Sequence, residues 1–295
     1  MPRFVLASGD PMQLPTKIDG PVSVIGDVHG QVDKLQKVLA KLRARPDFHQ
    51  RWIVFIGDFV DRGPDPKGAT DIVLSLMQEH GYVASICGNH ELAMCGSLHL
   101  FPPPDYAEWD KRWVGHYDSH KTFESYGAEF GDMPALLAAM PDNHKQFYAN
   151  LPWCIEHPQY LFVHAGLEAH QPYEMQVGIL SAREYSLTRP PWLCSKTLVT
   201  SPVPADTPVT VVSGHVCVPE VTFGDRRLLI DTTGGIEGEL SCVLLPENIV
   251  VSSGTNEVRT PDGRVLPRTR VGAGTGQGGL QFAPGHEKKV WWKFW

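Results

Sequence analysis

Apolar and polar residues alternate with two different periods along the first third of the chain. Short apolar runs at 51–57 and 82–88, and a shorter one at 21–26, have the length of buried strands. Between them, residues 31–44 and 66–80 carry apolar side chains at helical spacing. Strands that alternate with helices predict βαβ units and a parallel sheet in this part of the chain.

The middle and the second half follow another pattern. Residues 92–150 are rich in aromatic residues, proline and histidine, which predicts loops and short helices. Apolar runs then predict strands at about 160–164, 208–214, 227–231 and 240–245. We expect these later strands to pair in a more antiparallel way than the earlier ones.

The C-terminal segment differs in composition from the rest. Residues 254–295 are rich in Gly, Thr and Arg, include GAGTGQGG (272–279) and end in KKVWWKFW (288–295). We expect residues 1–253 to form one folded domain and 254–295 to form a Gly-rich tail. The basic aromatic end could dock on a membrane surface or a partner. Because the segment is short and the chain is acidic, we favour a tail that packs back on the domain.

Composition narrows the class of protein. With 42% hydrophobic and 20% charged residues, the 295-residue chain fits a soluble globular protein with a sizeable core. No apolar stretch reaches the length of a membrane span, and the N-terminus lacks a secretory signal, so we expect a cytoplasmic location. The formal net charge of −7 argues against a nucleic-acid partner. The six cysteines form no paired motif, and we assign them no function.

Polar motifs follow three predicted strands of the first half: GDVHG (26–30), GDFVDRG (57–63) and GNHE (88–91). Two later apolar runs end at His164 and His215. In open α/β sheets, ligands bind beyond the carboxyl ends of the strands. We therefore expect these five strand ends to converge on one crevice.

These strand ends supply oxygen and imidazole groups without any thiolate, a donor set that suits Mn²⁺, Fe or Zn²⁺. Two ions fit better than one, because six ligands around one ion would leave no position for substrate. Each motif alone is compatible with a structural role, such as a helix cap at Asn89. The convergence of all five favours a metal site. The candidate ligands are Asp27, His29, Asp58, Asn89, His164 and His215, and His90 is expected in the same crevice.

In this order, GDVHG, GDFVDRG, GNHE, HAG and GH resemble the phosphoprotein phosphatase (PPP) family of binuclear metallophosphatases, within the calcineurin-like metallophosphoesterase superfamily. The motifs cover residues 26 to about 245. The compact length, SYG at 125–127 and the 214–235 stretch are similar to the bacterial and phage, lambda-phosphatase-like branch. The resemblance implies an α/β fold, an αββα sandwich of two mixed β-sheets flanked by helices, with 1–253 as the metallophosphatase catalytic domain.

The resemblance implies two divalent metal ions per chain, with Mn²⁺ as the first candidate and Fe or Zn²⁺ as alternatives. Asp58 would bridge the two ions. The other implied ligands are Asp27 and His29 on the first ion and Asn89, His164 and His215 on the second. Two metal ions can activate a water and clamp phosphoryl oxygens. No Ser or Cys nucleophile is then required.

The resemblance also implies the catalytic groups. His90 would pair with Asp61 and protonate the leaving oxygen, and the carboxylate is expected to raise the pKa of His90. Arg62 would bind the substrate phosphate beside Asn89, because its planar fork matches the phosphate oxygens. Asp61 would then be neutralised by His90, and the charge of Arg62 would be left for the substrate.

Three further features stay open. A second phosphate-binding arginine is expected between the HAG strand and the last histidine, and we prefer Arg189 to Arg183. Asp231 either orients a site histidine or loop, or has a structural role. Residues 99–120 form either a cap that selects the substrate or a surface insertion packed on its own tryptophans.

Four functions are compatible with these residues. The first is a protein phosphatase for phosphoserine and phosphothreonine in a phosphoprotein or phosphopeptide, with phosphotyrosine as a dual-specificity extension. The second is a dinucleoside polyphosphate hydrolase, such as one for diadenosine tetraphosphate; GNHE instead of GNHD, and DRG at 61–63, favour the first. HAG occurs in both groups. The acidic charge disfavours a nucleotide or polynucleotide phosphatase, and the filled site positions disfavour an inactive binding module.

Overall fold

Strands β1 (Val22–Ile25), β2 (Trp52–Phe55) and β3 (Val83–Ser85) pair in parallel, as the alternation of strands and helices predicts. Helices α1 (Val32–Arg43) and α2 (Pro66–Glu79) form the two crossover connections between them. Each of these elements lies inside the range predicted from the sequence. A computed structural model describes residues 12–254, 258–259 and 265–266.

The middle of the chain is built from short helices, as predicted. The further helices are α3 (Asn89–Ser97), α4 (Trp109–His116), α5 (His120–Tyr126), α6 (Met133–Ala139), α7 (Asp142–Asn150), α8 (Tyr173–Ala182) and α9 (Pro191–Cys194). The further strands are β4 (Cys154–Glu156), β5 (Tyr160–Val163), β6 (Thr210–Ser213), β7 (Thr222–Gly224), β8 (Arg227–Leu229), β9 (Ser241–Leu245), β10 (Ile249–Ser252), β11 (Val258–Arg259) and β12 (Val265–Leu266).

The strands form two mixed sheets, in the orders β12-β11-β10-β9-β1-β2-β3 and β4-β5-β6-β8-β7. In the first sheet, β9 runs antiparallel to β1 and places Val243 opposite Val24. In the second sheet, β5, β6 and β8 are parallel, and only the edge strands β4 and β7 are antiparallel. The predicted antiparallel second half is therefore wrong at the centre of this sheet, where long connections return the chain in the same direction.

Alternate residues of the central strands face two different cores. In β2, Val54 belongs to a buried cluster that also contains Phe162 of β5 and Val212 of β6, so this face packs against the second sheet. Ile53 and Phe55 belong to the cluster that contains the buried faces of α1 and α2. Burial on both faces explains why the strand reads as a continuous apolar run. The predicted αββα sandwich flanked by helices is confirmed.

Most of the predicted tail lies outside the described residues. This applies to both GAGTGQGG (272–279) and KKVWWKFW (288–295), so the tail boundary and the packing of its tryptophans stay predictions. Strands β11 and β12 fall within this segment and extend the first sheet from β10.

His80, directly after α2, is a buried histidine whose two ring nitrogens are both engaged. Its Nε2 donates to the carbonyl of Phe48 at 2.9 Å, and its Nδ1 accepts from the backbone N–H of Tyr82 at 3.0 Å. Burial lowers the pKa of His80 below its ordinary value. A proton on Nδ1 would point at the backbone N–H of Tyr82, so the folded protein favours the neutral imidazole.

We expect His80 to make the fold acid-sensitive. Below about pH 6.5 the unfolded chain takes up a proton on His80 that the folded chain disfavours, so the free energy of unfolding falls with falling pH, at most by about 1.4 kcal/mol per pH unit. Urea unfolding of wild type and His80→Gln from about pH 8 to about pH 5 measures this difference. The variant should show the shallower pH dependence. His170→Gln, at an exposed histidine, is the control and should follow wild type; equal curves for all three proteins would contradict the prediction.

Candidate active site

The loops after β1, β2, β3, β5 and β6 meet at the carboxyl ends of the strands, as predicted. Hydrogen bonds join them directly: the backbone N–H of His29 donates to the Asp58 carbonyl at 2.7 Å, and the backbone N–H of His215 donates to Asp27 Oδ2 at 3.0 Å. The structure thus brings together all seven polar residues named from the strand ends. They are buried except for His215, which is half-buried.

Asp58 lies at the centre of this site. Its Oδ2 is 3.4 Å from His29 Nε2, 3.2 Å from His164 Nε2 and 3.9 Å from His90 Nε2. Two groups of side chains that could hold a metal ion share this carboxylate, one with His29 and His90 and the other with His164 and His215. Asp58 therefore occupies the position that a ligand common to two ions requires.

Two histidines are oriented towards Asp58 by the backbone. His29 Nδ1 donates to the Val60 carbonyl at 2.7 Å, and His164 Nδ1 donates to the Ile56 carbonyl at 2.8 Å, which turns each Nε2 towards the carboxylate. Burial would lower the pKa of His164, but the Asp58 carboxylate raises it to about 10. Burial would raise the pKa of Asp58, but His164 and His90 hold it well below its usual range. Asp58 and His164 thus favour each other's charged forms.

The donor atoms fit divalent cations. Within the part of the chain that the structure describes, Asp27 Oδ1, His215 Nε2 and Asp231 Oδ2 are buried without a hydrogen-bond partner. A side chain at Gly214 would clash with Asp27 Oδ1, so this oxygen is kept clear by a glycine. Buried unpaired oxygen and imidazole nitrogen atoms are costly unless a cation joins them.

The groups differ in one respect from the ligand set implied by the resemblance. Asp27 lies outside both three-residue groups, and His90 takes its place beside His29 and Asp58. Burial, and next the Asp231 carboxylate, raise the pKa of Asp27 well above its usual value. Asn89, the amide of the predicted set, accepts hydrogen bonds at its Oδ1 from His164 at 3.0 Å and from His215 at 2.8 Å.

The backbone of these loops is held in a sparsely populated conformation. His29, Asp58, Asp61, Arg62 and His215 all have positive φ angles, between 42° and 68°. The left-handed region is unfavourable for residues with a side chain, and such strain concentrates at functional sites. The surrounding contacts must therefore hold these loops in the shape that the side-chain positions require.

Glu91 makes several of these contacts, although the GNHE motif gave it no predicted role in the site. Its Oε2 accepts from the backbone N–H of Asp58 at 2.7 Å and of Gly88 at 3.0 Å, and its Oε1 accepts from Phe59 at 2.7 Å and Val60 at 3.2 Å. Burial, and next Asp58, raise the pKa of Glu91 to about 7. A glutamate at the third position of a helix is the signal that could have found it.

Asp61 and His90 form the expected pair. His90 Nδ1 donates to Asp61 Oδ2 at 2.7 Å. The predicted rise in the pKa of His90 is wrong: burial of the ring lowers this pKa well below its ordinary value, against the attraction of Asp58. Burial raises the pKa of Asp61 to about 7, although Thr122 and Trp113 donate hydrogen bonds to it. Burial thus works against the charged form of both partners, and the two groups titrate as one unit.

Arg62 lies at the edge of the site and is half-buried. Its Nη1 donates to the Gly234 carbonyl at 3.0 Å and lies 3.3 Å from His29 Nε2. Asp231 shapes this loop, because its Oδ1 accepts from the backbone N–H groups of Thr233 at 3.0 Å and Gly234 at 2.9 Å. Of the two alternatives for Asp231, the structure shows loop orientation.

The two candidates for a second phosphate-binding arginine differ in their surroundings. Arg183 Nη1 donates to the Ala149 carbonyl at 3.1 Å, so its guanidinium group is engaged at the C-terminal end of α7. Arg189 is exposed and lies near Tyr117 and Cys194: burial raises the pKa of both groups, and the charge of Arg189 opposes this rise. Tyr117 packs edge-on against the ring of His90, so Arg189 is close to the site. The preference for Arg189 stays a prediction.

Residues 20–240 match the protein family described as Calcineurin-like phosphoesterase. The chain belongs to this family. The metallophosphoesterase is therefore a hydrolase, and its family binds divalent metal ions, for which the described residues provide aspartate and histidine groups. The resemblance to PPP metallophosphatases is confirmed at the level of the family.

Curated relatives of this metallophosphoesterase carry two kinds of name. It is 36% identical to the asymmetrical bis(5'-nucleosyl)-tetraphosphatase PrpE of Oceanobacillus iheyensis over 86 residues. This stretch covers 27% of this chain and 32% of that protein. It is 40% identical to Serine/threonine-protein phosphatase 1 of Salmonella typhimurium over 70 residues. This stretch covers 24% of this chain and 29% of that protein. The chain thus matches about a third of the length of these relatives.

A solved structure named as a candidate diadenosine tetraphosphatase shares the fold, with a TM-score of 0.54 over 82% of this chain and 97% of that chain, at 20% identity. No helix among the described residues is long and apolar enough to cross a bilayer. The choice of Mn²⁺ and the cytoplasmic location stay predictions.

We expect Glu91→Gln to lower the free energy of unfolding by about 1–3 kcal/mol, because an amide group would replace one acceptor and leave buried backbone donors unpaired. Since Glu91 holds the backbone N–H of Asp58, Mn²⁺ binding should weaken as well. Urea unfolding and calorimetric titration with Mn²⁺ measure the two effects. Glu79→Gln is the control: this glutamate is 42% exposed and pairs with Arg43 at the surface, where such pairs contribute little. Equal behaviour of the two variants would contradict the role of Glu91.

Proposed function

We propose that this metallophosphoesterase hydrolyses phosphomonoesters, and that its substrates are phosphoserine and phosphothreonine in proteins, with phosphotyrosine as a further substrate. The observation that supports this most is the placement of Arg62 and His90 on the same side of Asp58, each next to His29. Arg62 Nη1 is 3.3 Å from His29 Nε2, and the rings of His29 and His90 are 4.6 Å apart. The anion-binding fork of Arg62 thus adjoins the candidate metal group that contains His29, Asp58 and the proposed proton donor His90.

Two divalent ions, with Mn²⁺ as the first candidate and Fe or Zn²⁺ as alternatives, would be held by the shared Asp58. The other residues that would hold them are Asp27, His29, Asn89, His164 and His215. When bound, the ions supply Lewis acidity, which activates water at neutral pH and offsets the charge of the phosphoryl oxygens.

The chain's own residues position the phosphate and move a proton. Arg62 offers a planar pair of donors, and its backbone N–H is held by the carbonyl of Asp118 at 3.2 Å. Because His90 Nδ1 is held by Asp61, only His90 Nε2 is left to face the leaving oxygen. Proton donation from this nitrogen matters most when the leaving oxygen is the alkoxide of a serine or threonine side chain.

The second candidate is hydrolysis of dinucleoside polyphosphates such as diadenosine tetraphosphate. The name of the relative from Oceanobacillus iheyensis favours it. The Asp61–His90 pair speaks for the first candidate, because a phosphate leaving group is stable without a proton and an alkoxide is not. GNHE at 88–91, where the polyphosphate hydrolases typically have GNHD, supports the same choice.

Hydrolysis of a matched panel tests this choice after metal stripping and reloading with Mn²⁺. The panel holds p-nitrophenyl phosphate, three peptides with phosphoserine, phosphothreonine or phosphotyrosine, a phosphorylated oligonucleotide and diadenosine tetraphosphate. We expect the highest kcat/KM on the peptides, loss of turnover in Asp58→Asn, and a fall of about 10²–10⁴-fold in His90→Asn. Preference for the dinucleotide would replace the first candidate by the second. No turnover of any substrate by a metal-loaded protein would favour the binding module.

We also expect the two arginine candidates to separate in kinetics. Arg189→Ala should raise the KM for phosphopeptides by about 10–100-fold, because a charge-assisted hydrogen bond to phosphate contributes about 1.5–3 kcal/mol. Arg183→Ala should leave this KM unchanged and lower the stability instead, since the Ala149 carbonyl loses its donor. Steady-state kinetics and urea unfolding of both variants measure this. The opposite assignment, with KM raised only in Arg183→Ala, would show that the preference for Arg189 is wrong.

A further inference from the structure

Helices α4 and α5 reach into the site from the 99–126 region. Trp113, in α4, is fully buried, and its Nε1 donates to Asp61 Oδ2 at 2.9 Å. The same oxygen accepts from His90 Nδ1 at 2.7 Å. The indole N–H and the imidazole N–H therefore donate to the same carboxylate oxygen. Asp61 is the one residue that links Trp113 to the proposed proton donor, His90.

The other oxygen of Asp61 is held from the same direction. The backbone N–H of Asp61 donates to Thr122 Oγ1 at 2.9 Å, so the hydroxyl hydrogen of Thr122 points to Asp61 Oδ1 at 2.5 Å. An indole N–H can only donate, so both neighbours treat Asp61 as an acceptor. Rotation of the carboxylate away from His90 would break two buried hydrogen bonds, each costly to leave unmade.

A second buried tryptophan shows that a buried indole N–H in this protein does not always have a hydrogen-bond acceptor. Trp153 is 1% exposed, and its Nε1 has no hydrogen-bond partner among the described residues. Trp113 also stacks on Phe123 at 5.2 Å, so it contributes to packing as well. The packing alone does not require that its N–H face Asp61.

We propose that Trp113 is a positioning residue that fixes Asp61 Oδ2 against His90 Nδ1 and thereby aims His90 Nε2 at the leaving oxygen of the substrate. The proposal rests on the proposed function, because it assigns Trp113 a task in phosphomonoester cleavage. The step starts from the protonated Asp61–His90 pair, in which both ring nitrogens of His90 carry a hydrogen. As the P–O bond breaks, its electron pair goes to the leaving oxygen, which takes the proton of His90 Nε2. The attacking water forms the new P–O bond and releases the proton that His90 regains.

The test compares leaving groups in Trp113→Phe and in the matched control Trp153→Phe. A nitrophenolate departs without a proton, whereas a phenolate or a serine alkoxide needs one. We expect Trp113→Phe to lower kcat about tenfold or more on phenyl phosphate and on the phosphoserine peptide, and less than about threefold on p-nitrophenyl phosphate, with KM unchanged. Trp153→Phe should change kcat on the three substrates by the same small factor.

Thr122→Val gives a second, smaller change with the same expectation, should the loss of the indole prevent folding. Nuclear magnetic resonance of the indole N–H groups tests the contact without turnover: the Trp113 resonance should shift in Asp61→Asn and stay in place in Asp142→Asn, whose carboxylate is 90% exposed. If the Trp113 resonance does not shift in Asp61→Asn, the hydrogen bond between Trp113 and Asp61 is contradicted.

The remaining outcomes separate the two claims. Equal loss of kcat on all leaving groups in both Trp113→Phe and Thr122→Val, in a wild-type protein that hydrolyses phosphomonoesters, would overturn the positioning role alone. A wild-type protein that cleaves no phosphomonoester would overturn the proposed function, and the role of Trp113 in it.

Discussion

The buried carboxylate of Asp58 is the constraint on which the rest of the site depends. A buried charge at the carboxyl ends of the strands is stable only when positive groups and hydrogen-bond donors surround it. Here backbone carbonyl groups orient His29 and His164 towards Asp58, and Glu91 accepts a hydrogen bond from the backbone N–H of Asp58. The sandwich provides this arrangement because the parallel strands of both sheets end at the same edge. The fold therefore serves to bring separate loops to one carboxylate.

The strand ends could be predicted from the sequence, because each consists of a local signal: an apolar run, a glycine and a polar residue. Physical burial on both faces makes β2 read as a continuous apolar run, and the polar residues that follow it stand out. Edge strands such as β4 and β7 are three residues long and carry no such contrast, so they were not predicted from the sequence. The parallel order of β5, β6 and β8 depends on the path of the chain between them, which no local pattern contains.

The parts of the site that were not predicted depend on contacts between distant parts of the sequence. Trp113 and Thr122 meet Asp61 across more than fifty residues of sequence, and neither lies in a recognisable motif. The pKa of His90 was predicted from its neighbour Asp61 alone, but complete burial of the ring has the larger effect and the opposite sign. Pairwise contacts that follow from motifs were predictable, whereas effects that depend on the whole environment of a group were not.

The environment of Asp61 also bears on the choice between the two candidate substrate classes. In the proposed function, the metal ions that the groups around Asp58 would hold supply water activation and offset the charge of the phosphoryl oxygens, and both candidate reactions need this. The reactions differ in the leaving group, and only an ester oxygen requires a well-aimed proton. In this chain the residues proposed to aim the proton come partly from α4 and α5, outside the strand-end motifs. Substrate class should therefore follow the residues that surround Asp61 and His90, and matches confined to the strand-end motifs cannot decide it.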